Sequence, residues 1–173
     1  LEHCKNWVRW IENSISATIM FVLLMVLTGT LDAIAVAAGA SCMVTTQLFG
    51  MLTEVVQQPD KNSDEYKRTG IDPWLSNIFG TLPYLTAWGL LLVQAVPILQ
   101  GSAPPFVTVI VIAEALLFSS FWAVQLTTLR TSPSRYVYGE VAYIILSLAS
   151  KATLGVLVMI NVLILGSFEE LFV

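Results

Sequence analysis

Charge is scarce in this chain: Asp, Glu, Lys and Arg make up 12% of 173 residues, against roughly one-quarter in a soluble domain. With 56% of the residues hydrophobic, water is not its solvent. Cysteine is nearly absent, with Cys4 and Cys42 alone, and His3 is the one histidine. That excludes a disulfide framework and a Cys/His metal site. The net charge is −4, which excludes the basic footprint of a nucleic-acid binder. The N-terminal LEHCK has no initiating methionine and no short apolar stretch ending in a cleavage site. No signal peptide is read there, and the chain is expected to begin inside a longer protein. No internal repeat is visible, and enzymatic activity is not expected.

What is present is long apolar runs. A membrane-spanning helix needs about 20 mostly apolar residues, and such runs fall at 7–27, 33–56, 78–100, 105–129 and 138–165. Their breaks hold turn formers: Thr28-Gly29-Thr30, the stretch 57–77 with Pro59 and Pro73, 101–105, and 131–134 with Pro133. The predicted fold class is therefore all-α, an integral membrane helical bundle of five spanning helices forming a single transmembrane domain, 1–173. Pro83 and Pro97 fall inside the third run, where neighbouring groups can satisfy the freed carbonyls and a kink is expected.

The basic residues set the orientation. Lys5 and Arg9 open the first run, Lys61, Lys67 and Arg68 separate the second from the third, and Arg130 and Arg135 separate the fourth from the fifth. Five spans bring these three places to one side, predicted cytoplasmic. Asp32, the uncharged 101–105 turn, Glu169 and Glu170 fall opposite, so the C-terminus is expected there.

Lys151 is the exception, about 20 Å from the inner end of the fifth run at 1.5 Å per residue. A charged lysine at a helix centre costs on the order of 3 kcal/mol on insertion scales, so such residues face a polar interior and have a task. One reading is a lysine paired in a water-filled cavity; the other is an amine that condenses with an aldehyde to a Schiff base. Ser147, four residues earlier, shares its face and either approaches the amine or bonds its own helix. A protonated Schiff base needs a carboxylate nearby. Glu12, the sole carboxylate of the first run, is the best-placed candidate, with ion pairing to Arg9 as its alternative; Ser16 and Met20 continue its face. Glu114, about 14 Å into the fourth run, reads either as a proton-relay group or as a neutral acid bonded to a neighbouring helix. Trp88, Phe118, Phe121 and Trp122 could wall a flat apolar ligand or simply pack.

Two segments carry a resemblance to a known family. RWIENSISATIMFVLL looks like the third helix of the heliorhodopsins, an inverted retinal-binding branch of the microbial rhodopsins, and EVAYIILSLASKATLG looks like their seventh. The second is the more specific, joining a mid-membrane lysine to a serine one turn earlier. The resemblance covers helices three to seven of a seven-helix rhodopsin-like fold, so two helices are expected ahead of Leu1. It implies all-trans retinal on Lys151 as a protonated Schiff base, Glu12 as the sole counterion, and Ser147 where many relatives hold a second acid. Arg9 then sits one turn before the counterion, and Ser16 and Met20 line the retinal. The inward N-terminal side, read from charge alone, agrees with that family's inversion. Asn13 stands where an aromatic is usual, and Glu114 is an unusual acid for the fourth run.

The resemblance implies a light sensor. Pumping is disfavoured because Leu23 stands where a pump commonly carries a proton donor. Two alternatives stay open: a light-gated proton channel using Glu114, and a non-photoreceptive transporter with Lys151 in an ion pair. The expected partners are the lipid bilayer, a signalling partner of unspecified kind and a second copy of the chain in a homodimer.

Overall fold

A computed structural model describes residues 6–56, 72–101, 105–130 and 136–169, with side chains placed for most of them. Lys5, Lys61, Lys67, Arg68 and Arg135, which set the expected orientation, and Cys4 lie outside the described residues. Five helices follow in order: α1 (Trp7–Leu27), α2 (Ala33–Val56), α3 (Pro73–Gly101), α4 (Pro105–Arg130) and α5 (Tyr136–Glu169). All five are long and apolar enough to cross a membrane, and no strand occurs among the described residues. The third helix starts at Pro73, ahead of the expected 78. Asp72 precedes it and its carboxylate accepts the Trp74 N–H at 3.0 Å, while proline is suited to a first helical position, where its N–H would have no partner. The helix continues through Pro83 and Pro97.

The other ends also follow from local chemistry. The Asn6 side chain caps α1 by accepting from the Arg9 N–H at 3.2 Å. At its far end Gly29 takes φ 80°, a left-handed conformation open to glycine without strain. Gly29 N–H then bonds Val26 O and Thr30 N–H bonds Met25 O, the paired closure of a Schellman stop. Asp32 receives the chain for α2, its carboxylate accepting from the Ile34 N–H at 3.0 Å.

Helices α1, α2 and α3 pack side by side, as do α4 and α5, and the core runs between the two groups. Phe21, Leu24, Met25, Met43, Leu91 and Ile110 are fully buried there. Between α1 and α2, close approach requires glycine at position 50: a Cβ would lie 2.4 Å from the Trp10 ring. Small residues at helix contacts are how membrane helices pack without a hydrophobic drive between them. The outer faces present Ile11, Ile15 and Ile19 of α1 and Val141, Ile144, Ile145 and Leu148 of α5, apolar stripes that lipid or further helices can cover. Hydroxyls on the spans are mostly satisfied within their own helices, as where Ser41, Thr45 and Thr53 donate to the carbonyl one turn back.

Candidate functional site

The start of α1, the end of α2 and the start of α5 meet at one end of the bundle, and Arg9 ties them together. Helical side chains lean toward the N-terminus, so Arg9 reaches back to that end rather than forward to Glu12. Its Nη2 pairs with Glu54 Oε2 at 2.8 Å and its Nη1 with Glu140 Oε1. Trp10 Nε1 also donates to Glu54, and Asn6 Nδ2 donates to Glu140 at 2.8 Å. The guanidinium lies over the rings of Tyr143 and Trp10, 4.2 and 4.9 Å from their centroids. The alternative pairing of Glu12 with Arg9 is thereby corrected: two other acids take the arginine. Glu54 and Glu140 do not stand out in the sequence, where Glu12 and Glu114 are the acids singled out. The signal that could have found them was Arg9 itself, a buried cation requiring acids from other helices.

Freed from Arg9, Glu12 pairs with Lys151: Nζ donates to Glu12 Oε1 across the seam between α1 and α5. Lys151 also leans toward its own helix start, so its amine lies nearer the Arg9 end than its Cα does. The side chains of this pair are 37% and 49% exposed, so within the described residues one flank of the seam is uncovered.

Lys151 forms part of the wall of a cavity that opens to the outside of the bundle. Ser147 and Ser150 of α5 and Asn13, Ser16 and Met20 of α1 join it. From α4 come Phe118, Phe121, Trp122 and Gln125. Ser16 Oγ is buried without a hydrogen-bond partner. Trp122 is fixed by its indole N–H donating to Thr81 Oγ1 at 3.2 Å, and Gln125 by donating to the Gly50 carbonyl at 3.3 Å.

Trp88 is not in the cavity wall. It stands one layer behind, edge-on to Phe118 at 5.8 Å and to Phe21 at 5.7 Å between centroids. Glu114 is also outside the wall, one turn from Phe118, and accepts from Ser150 Oγ at 2.9 Å. Tyr84, Tyr143, Met43, Thr46 and Gln47 line the cavity too. They were missed because aromatic, amide and hydroxyl side chains on apolar runs carry no spacing that separates a cavity wall from a packed core.

The family model of the heliorhodopsins matches residues 1–163. The chain belongs to the heliorhodopsin family. As a heliorhodopsin it is a multi-pass integral membrane protein of the microbial-rhodopsin type, and membership implies a retinal chromophore. Among curated proteins none matches the chain. Retinal is a flat apolar polyene ending in an aldehyde, and the donor set fits it. An amine is present at the wall, a carboxylate sits against that amine, and the wall combines aromatic faces with two methionines.

Proposed function

We propose that this heliorhodopsin is a light-sensing photoreceptor that holds retinal on Lys151 as a protonated Schiff base, with Glu12 as counterion. The observation that carries the reading is the ion pair of Lys151 and Glu12 at the wall of an aromatic-lined cavity. Retinal, when bound, supplies absorption of visible light and a change of shape on excitation.

The chain's own residues do the rest. Glu12 holds the cationic nitrogen at Lys151 charged, since an opposite charge within a few ångströms favours the charged form. Phe118, Phe121, Trp122 and Met20 supply a rigid apolar wall, and Trp88 backs Phe118 so that the wall does not yield. Ser147 and Ser16 offer hydroxyls to the cavity without adding charge. The Arg9 cluster fixes α5 to α1 at one end, which keeps Lys151 in register with Glu12. We assign that end to the cytoplasmic side, on the positive-inside pattern of the basic loops. The half-exposed ion pair cannot be left facing lipid, because a charge in hydrocarbon is costly; further helices over the α1–α5 seam are part of this reading. Family membership supports the photoreceptor over the transporter alternative.

The test is reconstitution of the complete protein with all-trans retinal. A visible absorption band in the native chain, absent from Lys151→Ala, is the expected result. Lack of a band in the native protein would sink the reading.

A further inference from the structure

Two carboxyl groups reach α5 at adjacent positions, from opposite neighbours. Glu12 of α1 meets Lys151, and Glu114 of α4 meets Ser150. Their surroundings differ completely. Glu114 is 1% exposed and Ser150 2%, and the Glu114 Oε1 atom is buried with no hydrogen-bond partner. Among the described residues no ion pair reaches Glu114. One turn to either side on α4 stand Ile110, Val111 and Phe118, all buried.

An anionic carboxylate at such a place would be a buried charge with one neutral hydrogen bond, an arrangement proteins avoid. A carboxylic acid, by contrast, needs no cation. Its connection to the lysine is short: Ser150 precedes Lys151 in the chain, lines the same cavity, and gives its hydroxyl hydrogen to Glu114 Oε2. The Ser150 oxygen retains its acceptor capacity while it donates to Glu114.

We propose that Glu114 is a second, uncharged carboxyl of the lysine site, holding its proton on Oε1 and coupled through Ser150 to Lys151, so that a change at the amine alters the Glu114–Ser150 hydrogen bond. Glu114 is thus a positioning residue, acting through Ser150. Only the light-driven arm of the test below rests on the retinal reading.

Infrared spectroscopy of the purified chain in lipid at neutral pH, without retinal, tests this directly. A protonated carboxylic acid shows a carbonyl stretch separate from carboxylate and amide bands. The expected result is such a band, lost in Glu114→Gln and kept in Glu12→Gln. Ser150→Ala is expected to move it to higher frequency by removing the hydrogen bond, and Ser150→Thr to restore it. Lys151→Ala is expected to shift it as well. If Glu114→Gln does not fold, carboxyl-13C labelling of glutamate in the native chain and in Ser150→Ala gives the same assignment. Absence of the band overturns the proposal, since Glu114 is then an anion. A band unmoved by both Ser150→Ala and Lys151→Ala also overturns it, since the acid is then uncoupled. With retinal bound, illumination is expected to shift the band in the native protein and not in Ser150→Ala. If no pigment forms, the photoreceptor reading fails while the dark measurements still decide this one.

Discussion

Arg9 and Glu12 stand three residues apart on α1, and each forms an ion pair with α5, yet the two pairs are built on opposite principles. Arg9 lies between two carboxylates, Glu54 and Glu140, with two aromatic rings against its guanidinium and side chains only 10–12% exposed. Trp10 and Asn6 hold the same acids. Among the described residues Lys151 has one acid and no ring against it, and a third or more of each side chain of the pair is exposed. A planar guanidinium can satisfy several acceptors at once and stays charged; an ammonium on a flexible stem is a group whose charge and bonding can change. The first pair therefore joins three helices, while the second joins two and stays accessible. On the proposed function, the bundle separates clamp from reactive group within one turn of α1.

The comparison can be broken in several ways. The largest effect is expected from Lys151→Ala, which is expected to abolish pigment formation because no other lysine lies in the described helices; absorption spectroscopy after retinal addition reads it. That variant is expected to remain folded. Arg9→Ala removes the cation from two largely buried carboxylates and is expected to cost about 3–5 kcal/mol, read as a large fall in unfolding temperature in detergent. Equal stability losses in the two variants would erase the distinction between clamp and reactive group. Glu12→Gln removes the anion beside the cation and is expected to change the position of the visible absorption band. A spectrum identical to that of the native pigment would reject Glu12 as counterion.

Smaller effects sharpen the clamp. Gly50→Ala places a methyl against the Trp10 ring and is expected to cost about 1–3 kcal/mol by overpacking, weakening the Trp10 bond to Glu54. Thermal unfolding and tryptophan fluorescence check it. Asn6→Ala removes both the α1 cap and a donor to Glu140, with an expected loss of about 1 kcal/mol.

The spans were legible because crossing lipid demands long apolar runs, and lipid imposes the same demand whatever the neighbours. The first two helices match their runs, α1 closing at Gly29 and α2 opening after Asp32. The third began early because Asp72-Pro73 is a helix start lying outside the apolar run, so hydropathy did not register it. Lys151, Glu12 and Ser147 stood out by cost and spacing. Trp10, Tyr143, Glu54 and Glu140 did not, since each is ordinary on its own helix.

By itself, then, the sequence determined that this chain is a membrane helical bundle with one expensive lysine in its last helix and one carboxylate in its first, because transfer of charge into hydrocarbon is costly wherever it occurs. Only the tertiary structure decided who partners whom. Glu12 lies beside Arg9 on the same helix, and spacing permits that pair. Helix packing brings Glu54 and Glu140 to the arginine instead, and the lean of side chains toward helix starts delivers the amine of Lys151 to Glu12. Burial decided the rest: Glu114, an acid like Glu12 in composition, lies in a buried apolar layer where, among the described residues, its one hydrogen-bond partner is a serine.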